Sequence, residues 1–190
     1  MKKAAPFLLL VLIVTSLAVL SSCRKKEDPY VSKLEFTIIV PVEWNYQEDI
    51  NDSIRYYAVS PYRPSDVTSG RDTISEDLII TMDYYPGTLE DYFVNTQFYY
   101  KDLLYSYDSL STEELVINGR DFIKHINLES VWLPSLVDPE IDIEIPLKVT
   151  RYYVMNGDFA YLIVCAATPD TWDHYSGVFT TILSTFAFKD

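Results

Sequence analysis

"YYVMNGDFAYLIV", residues 152–164, holds two apolar runs joined at Asn156-Gly157, and its reading decides the fold. Asn-Gly tolerates positive φ at both centres of a type I′ turn, so the two runs are predicted to fold back as an antiparallel hairpin. Phe159 to Ala167 is apolar at nearly every position, the pattern of a strand covered on both faces. Helices must therefore lie on both sides of the sheet. Cys165, inside that run, reads as a small buried hydrophobe.

Working outward, "ELVINGRDFIKHI" (114–126) repeats the hairpin signal at Asn118-Gly119. Phe36, Ile38 and Val40 alternate as one face of a strand that Pro41 and the polar stretch Asn45 to Ser53 end. Further strands are predicted over about Ile54–Ser60 and Leu78–Tyr85, the latter after a loop carrying Pro64, Ser69 and Gly70. The period then changes. In "GTLEDYFVNTQFYYKDLLYSY" (87–107) Leu89, Tyr92, Phe93, Thr96, Tyr99, Tyr100, Leu103, Leu104 and Tyr107 fall at helical spacing, and Thr88 with Asp91 forms a capping-box pattern. A second helix fits "PDTWDHYSGVFTTILSTF" (169–186), with Trp172, Tyr175, Phe179, Ile182, Leu183 and Phe186 on one side. The predicted fold class is α+β, an antiparallel β-sheet of about six or seven strands with helices packed on both faces, in a single domain over 33–190.

The first 32 residues follow different rules. Lys2 and Lys3 precede an almost wholly apolar run from Ala4 to Leu20, and Ser21-Ser22 supply small residues for cleavage, so residues 1–22 read as a signal peptide. Leu20-Ser21-Ser22-Cys23 resembles the bacterial lipobox, which implies acylation of Cys23 and attachment to a membrane through its lipid. Each buried CH₂ contributes roughly 0.8 kcal/mol, so several acyl chains anchor without help from the protein surface. Arg24, where an aspartate would signal retention in the inner membrane, implies transport to the outer membrane. Lys26-Glu27-Asp28 resembles the lysine-plus-two-acids signal for export to the cell surface, the other reading being a solvated tether over 23–32 with the domain on the periplasmic face.

Removing residues 1–22 leaves 168 residues in which 13 cations face 28 acids, a net charge of −15. So negative a chain repels polyanions, and nucleic acid is excluded as a partner. With Cys23 lipidated only Cys165 remains, so no intramolecular disulfide is available.

The order of motifs points to a family. "PVEW" (41–44), "GTLEDY" (87–92), "INGRD" (117–121) and the closing "FTTILSTFAF" (179–188) together resemble the PsbP-like family over about residues 34–188, with Glu43 standing where glycine is usual. The resemblance implies an α/β/α sandwich that serves as an accessory or binding subunit rather than an enzyme. Photosynthetic roles do not transfer with it.

Catalytic chemistry finds few residues. Gly70, Gly87, Gly119, Gly157 and Gly177 are too far apart for a phosphate-cradling loop, and no G-x-S-x-G elbow occurs. His125, in a predicted strand, and His174, on the last helix, lack a second ligand at metal spacing and read as solvated or satisfied surface histidines. In "DPEIDIEIP" (138–146) Asp138, Glu140, Asp142 and Glu144 share one face of an extended chain. That stripe is a weak calcium candidate without the glycine and bidentate acid of an EF-hand loop, or an edge strand charged against mispairing. No cofactor is predicted. The 16 tyrosines include adjacent pairs such as Tyr56-Tyr57 and Tyr152-Tyr153, whose rings point to opposite faces of a strand and serve either packing or contact with a partner. The sequence thus predicts a non-catalytic envelope lipoprotein that binds a protein partner or glycan. A scaffold subunit is second and a hydrolase third.

Overall fold

Alternation of side chains across extended segments, interrupted twice by helical periodicity, produces nine strands and two helices among the described residues of the computed structural model, 34–61, 75–104, 106–134 and 142–189. In chain order they are β1 (Phe36–Thr37), β2 (Asn45–Glu48), β3 (Ile54–Val59), β4 (Asp77–Tyr84), α1 (Leu89–Leu103), β5 (Tyr107–Ile117), β6 (Arg120–Pro134), β7 (Asp142–Asn156), β8 (Phe159–Ala167), α2 (Trp172–Ser184) and β9 (Ala187–Phe188). Seven strands form one sheet in the order β2-β3-β4-β8-β7-β6-β5, antiparallel at every pairing. β1 and β9 pair separately, Phe36 opposite Phe188. Lys33–Asp190 forms one compact unit.

The fold class read from the sequence is the one found, with one helix on each face. On β7 and β8, Tyr152, Val154, Tyr161, Ile163 and Cys165 pack with Trp172, Tyr175, Phe179, Ile182 and Leu183 of α2. The intervening Tyr153, Ala160 and Leu162 pack on the other face with Tyr92 and Tyr100 of α1. Both members of the Tyr152-Tyr153 pair are therefore buried, on opposite faces. Complete burial of such side chains stabilises the fold by roughly 1.5–3 kcal/mol each. After β4 the chain passes along α1 and re-enters at the far edge as β5. Three antiparallel steps then return it until β8 closes against β4.

Thr88 caps α1 as its sequence predicts: Oγ1 accepts from the Asp91 N–H at 3.1 Å and donates to Asp91 Oδ2 at 2.8 Å. The turn at "PVEW" brings the Trp44 N–H to the Pro41 carbonyl at 3.0 Å. It thereby sets the buried indole edge-on to Phe179, 6.1 Å between ring centres.

Several local expectations are corrected. The first strand stops at Thr37, because the Ile39 N–H donates to the Thr185 hydroxyl (2.9 Å) instead of a strand partner. The polar stretch from Asn45 contains β2, an exposed edge strand whose lack of apolar alternation hid it. Asn118-Gly119 form a type I′ turn with φ 49° and 78°, but in the later hairpin Asn156 pairs with Phe159 and the loop is Gly157-Asp158. Only Gly157 there takes positive φ, 61°, which is the type II′ pattern. Tyr107 begins β5 rather than ending α1, and Tyr99, placed on the apolar side of the helix, is exposed.

Candidate functional site

Two polar constellations stand out, one inside the sandwich and one open to solvent. The inner one lies beneath α1, where β5, β6 and β7 turn Thr112, His125, Asn127, Glu129 and Arg151 to the same face. Arg151 Nη2 donates to Glu129 Oε2 at 2.7 Å, and Asn127 Nδ2 donates to the same oxygen at 2.7 Å. Arg151 Nη1 also donates to Asn127 Oδ1, and the guanidinium lies 4.1 Å from the centre of the Tyr100 ring. Gln97 of α1 donates through Nε2 to the Tyr153 hydroxyl at 2.7 Å and accepts from the Tyr107 hydroxyl. Burial is the strongest single influence and opposes the Arg151 charge, but the Glu129 carboxylate together with the Tyr100 and Tyr153 hydroxyls holds the guanidinium above its ordinary pKa.

His125 belongs to this interior. The surface position expected for it is wrong: only 2 % of the residue is exposed, since β6 is covered by α1 at that point. Its ring packs 5.7 Å from Phe93 and stacks on Tyr107, with Nδ1 2.8 Å from Thr112 Oγ1. Burial first, then the Arg151 and Lys101 charges, lower its pKa to about 4, so the ring is neutral at pH 7. The imidazole is thus a buried, neutral member of the interior packing. His174 is exposed on α2, as predicted.

The second constellation is a groove on the opposite face, between α2 and the β5-β6 hairpin. It has a volume of about 310 Å³, with Leu115 and Ile117 of β5 on one wall, Thr180, Leu183 and Ser184 of α2 on the other, and Tyr152 between. A smaller recess of about 110 Å³ shares Lys124, Tyr152 and Thr180 and runs toward Trp172. Lys124 forms an ion pair with Glu113 at 2.6 Å. Burial raises the Tyr152 pKa above its ordinary value, so its hydroxyl stays protonated and able to donate. Asn118 fixes the groove's end by donating through Nδ2 to the carbonyls of Ser184 (3.1 Å) and Phe186 (2.8 Å). The walls offer apolar contact and hydroxyl groups, the chemistry that orients a bound side chain.

Cys23, Lys26, Glu27 and Asp28 lie outside the described residues, as do Asp138 and Glu140. Asp142 and Glu144 are exposed on β7, opposite Pro134 and Trp132. Among the described residues, no three His, Cys, Asp or Glu side chains are grouped to hold a metal, and no helix is long and apolar enough to cross a membrane. Cys165 is fully buried, and burial raises its thiol pKa well above the ordinary value. Neither constellation was recognised in the sequence. The available signals were Gln97 among the apolar positions of α1, and Arg151 alternating with Val149 and Tyr153 on a doubly covered strand.

No protein-family model matches the sequence, and no curated protein matches it significantly. Solved structures do match. PA94 of Pseudomonas aeruginosa, a protein of unknown function, superposes with a TM-score of 0.57 at 11% identity over 82% of this chain and 99% of its own. LpqN of Mycobacterium tuberculosis, involved in cell envelope biogenesis, gives 0.57 at 11% identity over 82% and 83%. The cyanobacterial PsbP of Synechocystis sp. PCC 6803 gives 0.49 at 13% identity over 90% and 99%. At such identities the first two likenesses establish a shared fold.

Proposed function

We propose that the protein is a lipid-anchored, non-catalytic binding module of the bacterial envelope, and that it captures a protein partner or glycan in the groove between α2 and the β5-β6 hairpin. The groove itself carries the reading. Its walls combine Leu115, Ile117 and Leu183 with the hydroxyls of Tyr152, Thr180 and Ser184, a mixture suited to holding a side chain or sugar face in one orientation. Envelope placement draws on the lipobox resemblance at Cys23 and on the shared fold with LpqN, itself a protein of envelope biogenesis. The outer membrane is the destination implied by Arg24, and Lys26-Glu27-Asp28 implies the cell surface.

The test places a photo-crosslinking residue at Thr180 in the full-length protein on intact cells, with a control at Glu90 on the other helix. Thr180 is expected to capture a discrete partner or glycan that Ser184→Arg, at an exposed position of the groove wall, abolishes without unfolding the domain. Equal capture at Glu90, or none at Thr180, overturns the reading. Anchoring is tested separately: Cys23→Ser is expected to stop palmitate incorporation, and labelling of that variant would refute it.

Phe98 and Tyr99, 69% and 54% exposed on the outer side of α1, favour a second reading as a scaffold subunit. Crosslinks from position 98 with none from 180 would select it.

A further inference from the structure

We propose that the open edge of β5 receives an extended segment of a protein partner as an eighth strand, with an apolar side chain entering the groove and cations facing Glu113 and Glu114. This rests on the groove being the binding site. β5 ends the seven-stranded sheet, and its residues from Asp108 to Glu114 and Val116 are exposed. On its inner side the register with β6 is irregular at Leu110 but regular from Ser111 to Ile117. The outer side of that stretch is therefore a row of backbone donors and acceptors about 20 Å long, at roughly 3.4 Å per residue. The opposite edge of the sheet, β2, has four residues.

Strand addition needs a free edge for affinity and adjoining pockets for specificity, and among the described residues β5 has both. Leu115 and Ile117, partly buried on the α2 side, form the wall that the groove shares with the edge. A side chain from an added strand on that face meets them directly, with Leu183 across the gap.

Charge selects the occupant. Asp108, Glu113 and Glu114 lie along β5 with no cation in the strand, and Lys124 on β6 pairs with Glu113. Acids on an edge strand also deter unwanted pairing, and here they deter a second copy of this chain, whose net charge is −13 and whose own β5 would bring like charges together. A cationic, alternating segment meets no such opposition. An edge built solely to repel has no use for an apolar groove beside it.

The experiment titrates the full-length protein in detergent with a synthetic heptapeptide of two lysines, a leucine, a threonine and a valine flanked by threonines, in both chain directions. One direction is expected to bind saturably and to slow amide hydrogen exchange at Thr112–Ile117 at least tenfold. Methylating alternate backbone nitrogens of the peptide should abolish this, and Ser184→Arg, at an exposed position of the groove wall, should weaken binding at least tenfold. No saturable binding, equal binding of the methylated peptide, or protection elsewhere overturns strand addition. So does an envelope oligosaccharide that saturates the groove while the β5 amides stay unprotected, a result that leaves the groove reading intact. Loss of crosslinking at Thr180 removes the groove reading itself.

Discussion

Arg151 and Glu129 sit beneath α1 with 2 % and 8% of their surfaces exposed. A buried pair contributes little net stability against an apolar replacement, yet removing one partner strands the other. Arg151→Met should cost about 3–5 kcal/mol in chemical denaturation, and the double change Arg151→Met with Glu129→Leu should recover most of it. Equal losses in both variants would refute the coupling. His125 gives a pH dependence. Its folded pKa of about 4 lies below the ordinary 6.5, so the stability tied to its neutral ring is complete above pH 6.5 and is lost as pH falls from there through about 4. Asp77 works the other way: burial, then the Glu76 and Glu129 charges, push its carboxyl up to about 7, and its neutral form favours folding at low pH, an advantage lost as pH rises through about 7. The two windows overlap, so the histidine effect is read in an Asp77→Asn background. There, stability should fall by about 2 kcal/mol between pH 7 and pH 5, and adding His125→Gln should flatten that slope. An unchanged slope would assign the dependence to other groups.

Among the elements, α2 depends on a residue outside it. Its last turn carries no basic side chain, and the carbonyls of Ser184 and Phe186 receive Asn118 Nδ2 instead. Asn118 also takes φ 49° at the hairpin turn, so Asn118→Gly keeps the turn while deleting the two bonds. That variant should lose about 1–2 kcal/mol and loosen the groove's end, visible as faster amide exchange in the last turn of α2. A neutral Asn118→Gly would mean that the tie contributes nothing. At the start of α1, Thr88→Ala should cost about 1 kcal/mol through loss of the cap, measured as a lowered urea midpoint.

For the whole molecule, the two faces share β7 and β8, so neither helix has a core of its own. The domain 33–190 should therefore unfold in one step, with exchange at α1 amides and the fluorescence of buried Trp44 and Trp172 reporting the same midpoint, with or without reductant or EDTA. Separate midpoints would show two independent halves. What the sequence by itself determined is what neighbours along the chain decide. Turn chemistry at Asn118-Gly119 and Gly157 made the sheet antiparallel, the unbroken apolar run of β8 required cover on both faces, and Thr88 with the spacing from Leu89 defined α1. Only the tertiary structure decided which strands meet, that polar Asn45–Glu48 is an edge strand, that His125 is interior, and that β5 and α2 leave a groove between them. These depend on residues distant in the chain, such as Gln97 with Tyr153 and Asn118 with Ser184. A buried polar group is stable only where its partner arrives, and no local period in the sequence records that arrival.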